Sequence, residues 1–102
     1  MARNQEVVTC LPGVWTELTN DDVTDITFQV TTGSVKVRCT VGATAPAIGA
    51  GGYVYHARPG DPQQESGELR VLIADLAAAA GANRVFAQPI SGRKALVVVD
   101  HA

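Results

Sequence analysis

Two runs in which apolar and polar residues strictly alternate stand out in this chain, Ile26-Thr27-Phe28-Gln29-Val30 and Val35-Lys36-Val37-Arg38-Cys39-Thr40-Val41. A period of two turns one face of an extended chain toward a core and the other toward water, so each run predicts a half-buried strand. Only Thr31-Thr32-Gly33-Ser34 lies between them, and that spacing predicts a hairpin. Ile26, Phe28 and Val30 then share the buried face with Val35, Val37, Cys39 and Val41. Thr27, Gln29, Lys36, Arg38 and Thr40 form the polar outer face.

Gly, Pro and Asp/Asn clusters divide the rest into short pieces at the spacing of a β-sandwich or barrel. Val7 to Cys10 reads as a strand, Leu11-Pro12-Gly13 as a turn, Val14 to Leu18 as the next strand, and Asn20-Asp21-Asp22 as another turn. Residues 42–52 have no periodicity and consist almost entirely of small side chains, which predicts a flexible surface loop. A short strand follows over Gly52 to Ala57, then a second loop from Arg58 whose two prolines forbid regular structure. Leu69, Leu72, Ile73, Leu76, Ala77 and Ala80 fall at helical spacing, while Val71 to Ala74 equally suits a buried strand, so the compromise expected is an extended 69–73 followed by one or two helical turns at most over 74–80. Strands over Arg84 to Gln88 and Ala95 to His101 end the pattern. Leu96-Val97-Val98-Val99 is apolar on both faces, the mark of a central strand.

The expected fold is all-β: one compact antiparallel β-sandwich or barrel-like domain of about seven or eight short strands, with at most one short helix near 74–80. Residues 1–8 are expected as a flexible amino-terminal arm and residues 9–102 as the single domain. A length of 102 residues leaves room for only one ordinary core. With 46% hydrophobic and 18% charged residues the chain has the composition of a packed protein, and so little charge suggests that a partner covers some surface. A net charge of -2 and a pI near 5.5 provide no basic footprint for a phosphate backbone, which disfavours direct nucleic-acid binding. Cys10 and Cys39 sit where small buried thiols fit and are expected to be reduced. The polar start of the chain leads into no apolar segment long enough for export or membrane spanning, so folding in a reducing cytoplasm is expected, with no membrane partner.

Candidate chemistry is sparse. His56 and His101 lack the Cys-x-x-Cys or His-x-x-x-His spacing that would bring metal ligands together, so no metal is expected. Adjacent residues of a strand point to opposite faces, which separates Asp100 from His101. Ser34, Ser66 and Ser91 lie in turns without a strand-to-helix elbow, so no serine nucleophile is expected. The glycines at 49, 51 and 52 precede neither a helix nor a phosphate-binding lysine. No catalytic residue and no cofactor is expected, and the chain is not read as an enzyme.

The aromatic residues are the better lead, because large aromatics dominate both cores and interfaces. Phe28 belongs to the core. Tyr53 and Tyr55 share one face of a short strand between two loops, a place from which to anchor a partner. Arg58 at the start of the second loop completes that candidate interface. Trp15 is expected in the core and kept as a further candidate contact.

The order Gly13-Val14-Trp15-Thr16-Glu17-Leu18-Thr19-Asn20-Asp21-Asp22-Val23-Thr24, then Val41-Gly42-Ala43-Thr44-Ala45-Pro46, then Gly81-Ala82-Asn83-Arg84-Val85-Phe86-Ala87, and finally Val97-Val98-Val99-Asp100-His101-Ala102, resembles small virion structural proteins of tailed bacteriophages. The resemblance spans nearly the whole chain through turn and strand signatures. It implies a structural protein of the virion, assembled in the host cytoplasm, of the head-decoration or cement type. Such a protein stabilises the capsid by bridging neighbouring subunits of the major capsid protein lattice, with a trimer as the first expectation for self-association. The alternative implied is a tail-tip or fibre-associated module that recognises a host surface through the loops at 42–52 and 58–67.

Overall fold

The computed structural model describes residues 2–60, 62–68 and 81–102, and every regular element among them is a strand. There are eight: β1 (Arg3–Cys10), β2 (Thr16–Glu17), β3 (Asp25–Thr32), β4 (Ser34–Thr40), β5 (Tyr53–His56), β6 (Gln64–Glu68), β7 (Arg84–Pro89) and β8 (Ala95–His101). They form two antiparallel four-stranded sheets, the first in the order β1-β8-β3-β6 and the second in the order β2-β7-β4-β5. This is the expected all-β sandwich. The expected extended stretch at 69–73 and helical turns at 74–80 lie outside the described residues.

The alternating runs became strands as their period requires, with Ile26, Phe28, Val30, Val35, Val37 and Cys39 all buried, but Val41, expected on the same face, lies past the end of β4 and is 58% exposed. They do not form a hairpin. β3 pairs with β6 and β8 in the first sheet, whereas β4 pairs with β5 and β7 in the second. Alternation demands only that one face of each strand be covered, and two strands facing each other across a core meet that demand as well as two lying side by side. The turn between them carries the chain from one sheet to the other. Gly33 makes the corner with φ of 81°, and a Cβ there would come within 3.2 Å of the Ala95 side chain.

Among the described residues crossing is the rule, since of the connections between successive described strands only β4 to β5 stays within one sheet. The inward residues of both sheets consequently interdigitate in one core of Val8, Cys10, Ile26, Phe28, Val30, Ala95, Val97 and Val99 from the first sheet with Val35, Val37, Cys39, Val85 and Ala87 from the second. β8 lies between β1 and β3, the central place that its apolar run predicted.

The expected arm over residues 1–8 is instead, from Arg3 onward, part of β1, which pairs with β8 from Cys10↔Ala95 to Arg3↔His101. Val8 and Cys10 are buried, and their contribution to the core draws the segment into the sheet. A register shift between Arg3 and Glu6 bends the start of the strand, with Gln5 at φ of 49°. At the opposite side of the sandwich Tyr55 of β5 donates its hydroxyl to Glu65 of β6 at 3.0 Å, tying the edge of one sheet to that of the other. The strand expected over Val14 to Leu18 shortens to Thr16–Glu17.

Candidate docking surface

The register of the second sheet decides what its outer face carries. Lys36 pairs with Gln88 and Val54, and Arg38 pairs with Phe86, so these side chains lie on the face away from the core. Phe86 is nevertheless only 3% exposed and Gln88 only 5%. Trp15, just before β2, is also buried yet does not belong to the core between the sheets. The expectation of a core tryptophan is thus corrected: Trp15 is covered on the outside of the sandwich.

The covering segment is the loop between β4 and β5. Trp15 Nε1 donates to the Ala47 carbonyl at 2.8 Å, Lys36 Nζ to the Ala50 carbonyl at 2.7 Å and Arg38 to the Gly51 carbonyl at 3.0 Å. Lys36 Nζ also stands 5.2 Å from the centre of the Trp15 ring. Within the loop the Ala50 amide closes a turn on the Ala47 carbonyl. The loop expected to be flexible is therefore strapped across the outer face by three donors, and its small side chains let the backbone lie close enough to accept them. Gly52 shows how close: a Cβ there would stand 2.7 Å from the Val37 carbonyl oxygen.

The four residues expected to meet a partner have separate fates. Tyr53 is 53% exposed at the start of β5. Tyr55 shares its face but is half-buried and packs edge-on against Phe28, ring centres 5.2 Å apart. Burial, and next the Glu65 carboxylate that accepts its hydroxyl, raise the Tyr55 pKa above its ordinary value. Arg58 is exposed and lines a shallow depression with Thr31, Thr32 and Pro59. Trp15 holds the loop. Tyr53 and Arg58 are thus open to a partner, while Tyr55 and Trp15 serve the fold.

The sequence reading missed other exposed residues. Of eight large apolar side chains exposed among the described residues, six belong to the second sheet, lie within two residues of its strands, or ride on the loop between β4 and β5: Val14, Val41, Ile48, Tyr53, Val54 and Ile90. Val54, 46% exposed, stands beside Lys36, and Ile48, 66% exposed, rides on the loop stretch that Trp15 and Lys36 hold. Val54 lies on the outer face with Lys36, whereas Tyr53, paired with Val37, lies on the opposite face at the exposed end of β5. Val54 was legible as the residue that alternates with the two tyrosines. Ile48 had no periodic signal.

The Ser34↔His56 register also brings a serine hydroxyl within 2.8 Å of His56 Nδ1. No carboxylate is hydrogen-bonded to the His56 ring among the described residues, so this contact lacks the group that orients the base in a triad. Asp100 and His101 diverge as strand geometry requires, the first exposed and the second buried. No group of three or more His, Cys, Asp or Glu side chains converges as a metal site among the described residues. Cys10 and Cys39 are free and buried, and desolvation pushes both thiols up to about 11.

Compared with protein-family models, with curated proteins and with solved structures, the chain matches none.

Proposed function

We propose that the chain is a non-catalytic structural module of a tailed-phage virion, which decorates the head and braces the capsid by docking on its subunits. The exposed apolar side chains of Ile48, Tyr53 and Val54, on β5 and the loop before it, carry this reading, because the donors from Trp15, Lys36 and Arg38 hold that loop in place before any partner arrives. A pre-ordered surface loses little conformational freedom on docking, and repeated copies on a lattice add their contacts. The identity of the partner rests on the resemblance of the sequence to small virion proteins, and the docking face rests on the exposed side chains.

The test mixes the purified chain with expanded capsids of a tailed phage and measures bound copies after sedimentation. Binding by the wild type is expected, with at least a tenfold loss in the double variant Tyr53→Ala, Val54→Ser and an unchanged melting temperature. A wild-type chain that ignores capsids but binds host cells overturns the head-decoration reading in favour of the tail or fibre module. Normal capsid binding by the double variant places the docking surface elsewhere.

A further inference from the structure

We infer that β1 is a self-association edge, and that two copies of the chain pair antiparallel through Glu6 to Cys10 to make one eight-stranded sheet across a twofold axis. Sheet edges bear unpaired backbone donors and acceptors, and proteins usually blunt them with short strands, charges, prolines or covering segments. Here the edges differ. β2 has only two residues. β5 is capped at His56, whose amide donates to Gln63 Oε1 at 2.7 Å and whose carbonyl accepts from the Gln63 amide at 3.0 Å. β1, by contrast, receives no backbone hydrogen bond outside its ladder with β8 among the described residues.

The start of β1 is blunted, because the register shift, Gln5 at positive φ and the Arg3–Glu6 ion pair occupy residues 3–6. From Glu6 to Cys10 the pairing with β8 is regular and the segment contains neither proline nor lysine. Its outward valine is the second observation. Val7 is 56% exposed and pairs with half-buried Val98, an apolar pair on the outer face that gives way to Gln29 on β3 inward and stops at the open edge outward. Thr9 pairs with half-buried Leu96 one step along.

A second copy is the occupant that continues this pair. In an antiparallel pair centred on Val8, Val7 faces Thr9 of the second copy, so Val98 and Val7 continue into Thr9 and Leu96 across the axis, and the twofold repeats the contact. Val8 meets itself on the buried side and extends the core. Glu6 faces Cys10 of the second copy, which keeps the two Glu6 carboxylates apart. The interface is isologous and needs no other protein.

Light scattering after size exclusion, run between about 1 μM and 1 mM to span weak self-affinities, tests the pairing. The wild type should approach twice the monomer mass as concentration rises. Val7→Lys, which puts a charge into the apolar pair without touching the core, should stay at monomer mass with an unchanged melting temperature, while Val54→Lys at the opposite edge should keep the dimer. A wild type that stays monomeric, a trimer, or a dimer that survives Val7→Lys each overturns the inference. Capsid binding is not measured in this experiment, so self-pairing and docking to a head stand or fall separately.

Discussion

The outer faces of the two sheets are built on opposite plans. The second sheet is covered by its own loop and buries Trp15, Phe86 and Gln88 on the side away from the core. The first sheet leaves its outer face open: Thr27 bonds Ser66 at 2.8 Å and Gln29 bonds Gln64 at 3.0 Å in the light of solvent, with Val98, Val7 and Leu96 beside them. Two sheets sharing one core thus divide their other faces between self-sufficiency and availability. The second sheet can present fixed side chains on a finished surface, whereas the first can add strands at its edge.

Alkaline pH should produce the largest effect, because it acts on the core common to both sheets. Burial holds the Cys10 and Cys39 thiols at about 11 against an ordinary 9.0, and it also raises the Tyr55 hydroxyl. The unfolded chain releases these protons first, so the stability they contribute is complete below pH 9.0 and declines as pH rises toward and through 11. Urea midpoints at pH 8, 10 and 11 should fall in that order, with a shallower fall in the double variant Cys10→Ala, Cys39→Ala.

Phe86→Ala comes next. If the strapped face is a second buried layer, this residue should cost about 3 to 4 kcal/mol of unfolding free energy, the usual loss for a core phenylalanine. A loss below about 1 kcal/mol, within the range of surface substitutions, would erase the contrast between the faces. Gly52→Ala should cost about 2 kcal/mol by overpacking, since the new methyl meets the Val37 backbone and no flexible side chain can yield. Trp15→Phe keeps an aromatic ring but loses the pyrrole half of the indole and its bond to Ala47, and should cost about 1 to 2 kcal/mol. It should also speed amide hydrogen exchange over residues 43–51 more than anywhere else. Val98→Thr on the open face should change stability by no more than about 0.5 kcal/mol in the monomer.

Much of the fold was legible in the sequence, and the residues show where legibility ended. Phe28 and Val37 were identifiable as core because alternation records which face of a strand is covered. Their placement in different sheets was not, because no local pattern says whether a neighbour lies beside a strand or across from it. The turn at Gly33 is compatible with either arrangement. Tyr53 and Tyr55 looked equivalent by spacing, yet one stands at the strand end in solvent and the other meets Phe28 and Glu65. The loop at 42–52 looked flexible because its side chains are small, and it is held through its carbonyls, which a sequence does not distinguish from one residue to the next.

By itself the sequence determined the β class, the inward residues of the strands, and the central place of the apolar run at Leu96 to Val99. These follow from burial of one or both faces of an extended segment, which is a local property. Tertiary structure alone decided that β3 and β4 part into separate sheets, that Trp15 is buried outside the core, that Ser34 meets His56, and that β1 joins the sandwich as an edge. Each depends on residues far apart in the chain meeting in a particular register, and the balance among alternative pairings is set by the packing of the whole core.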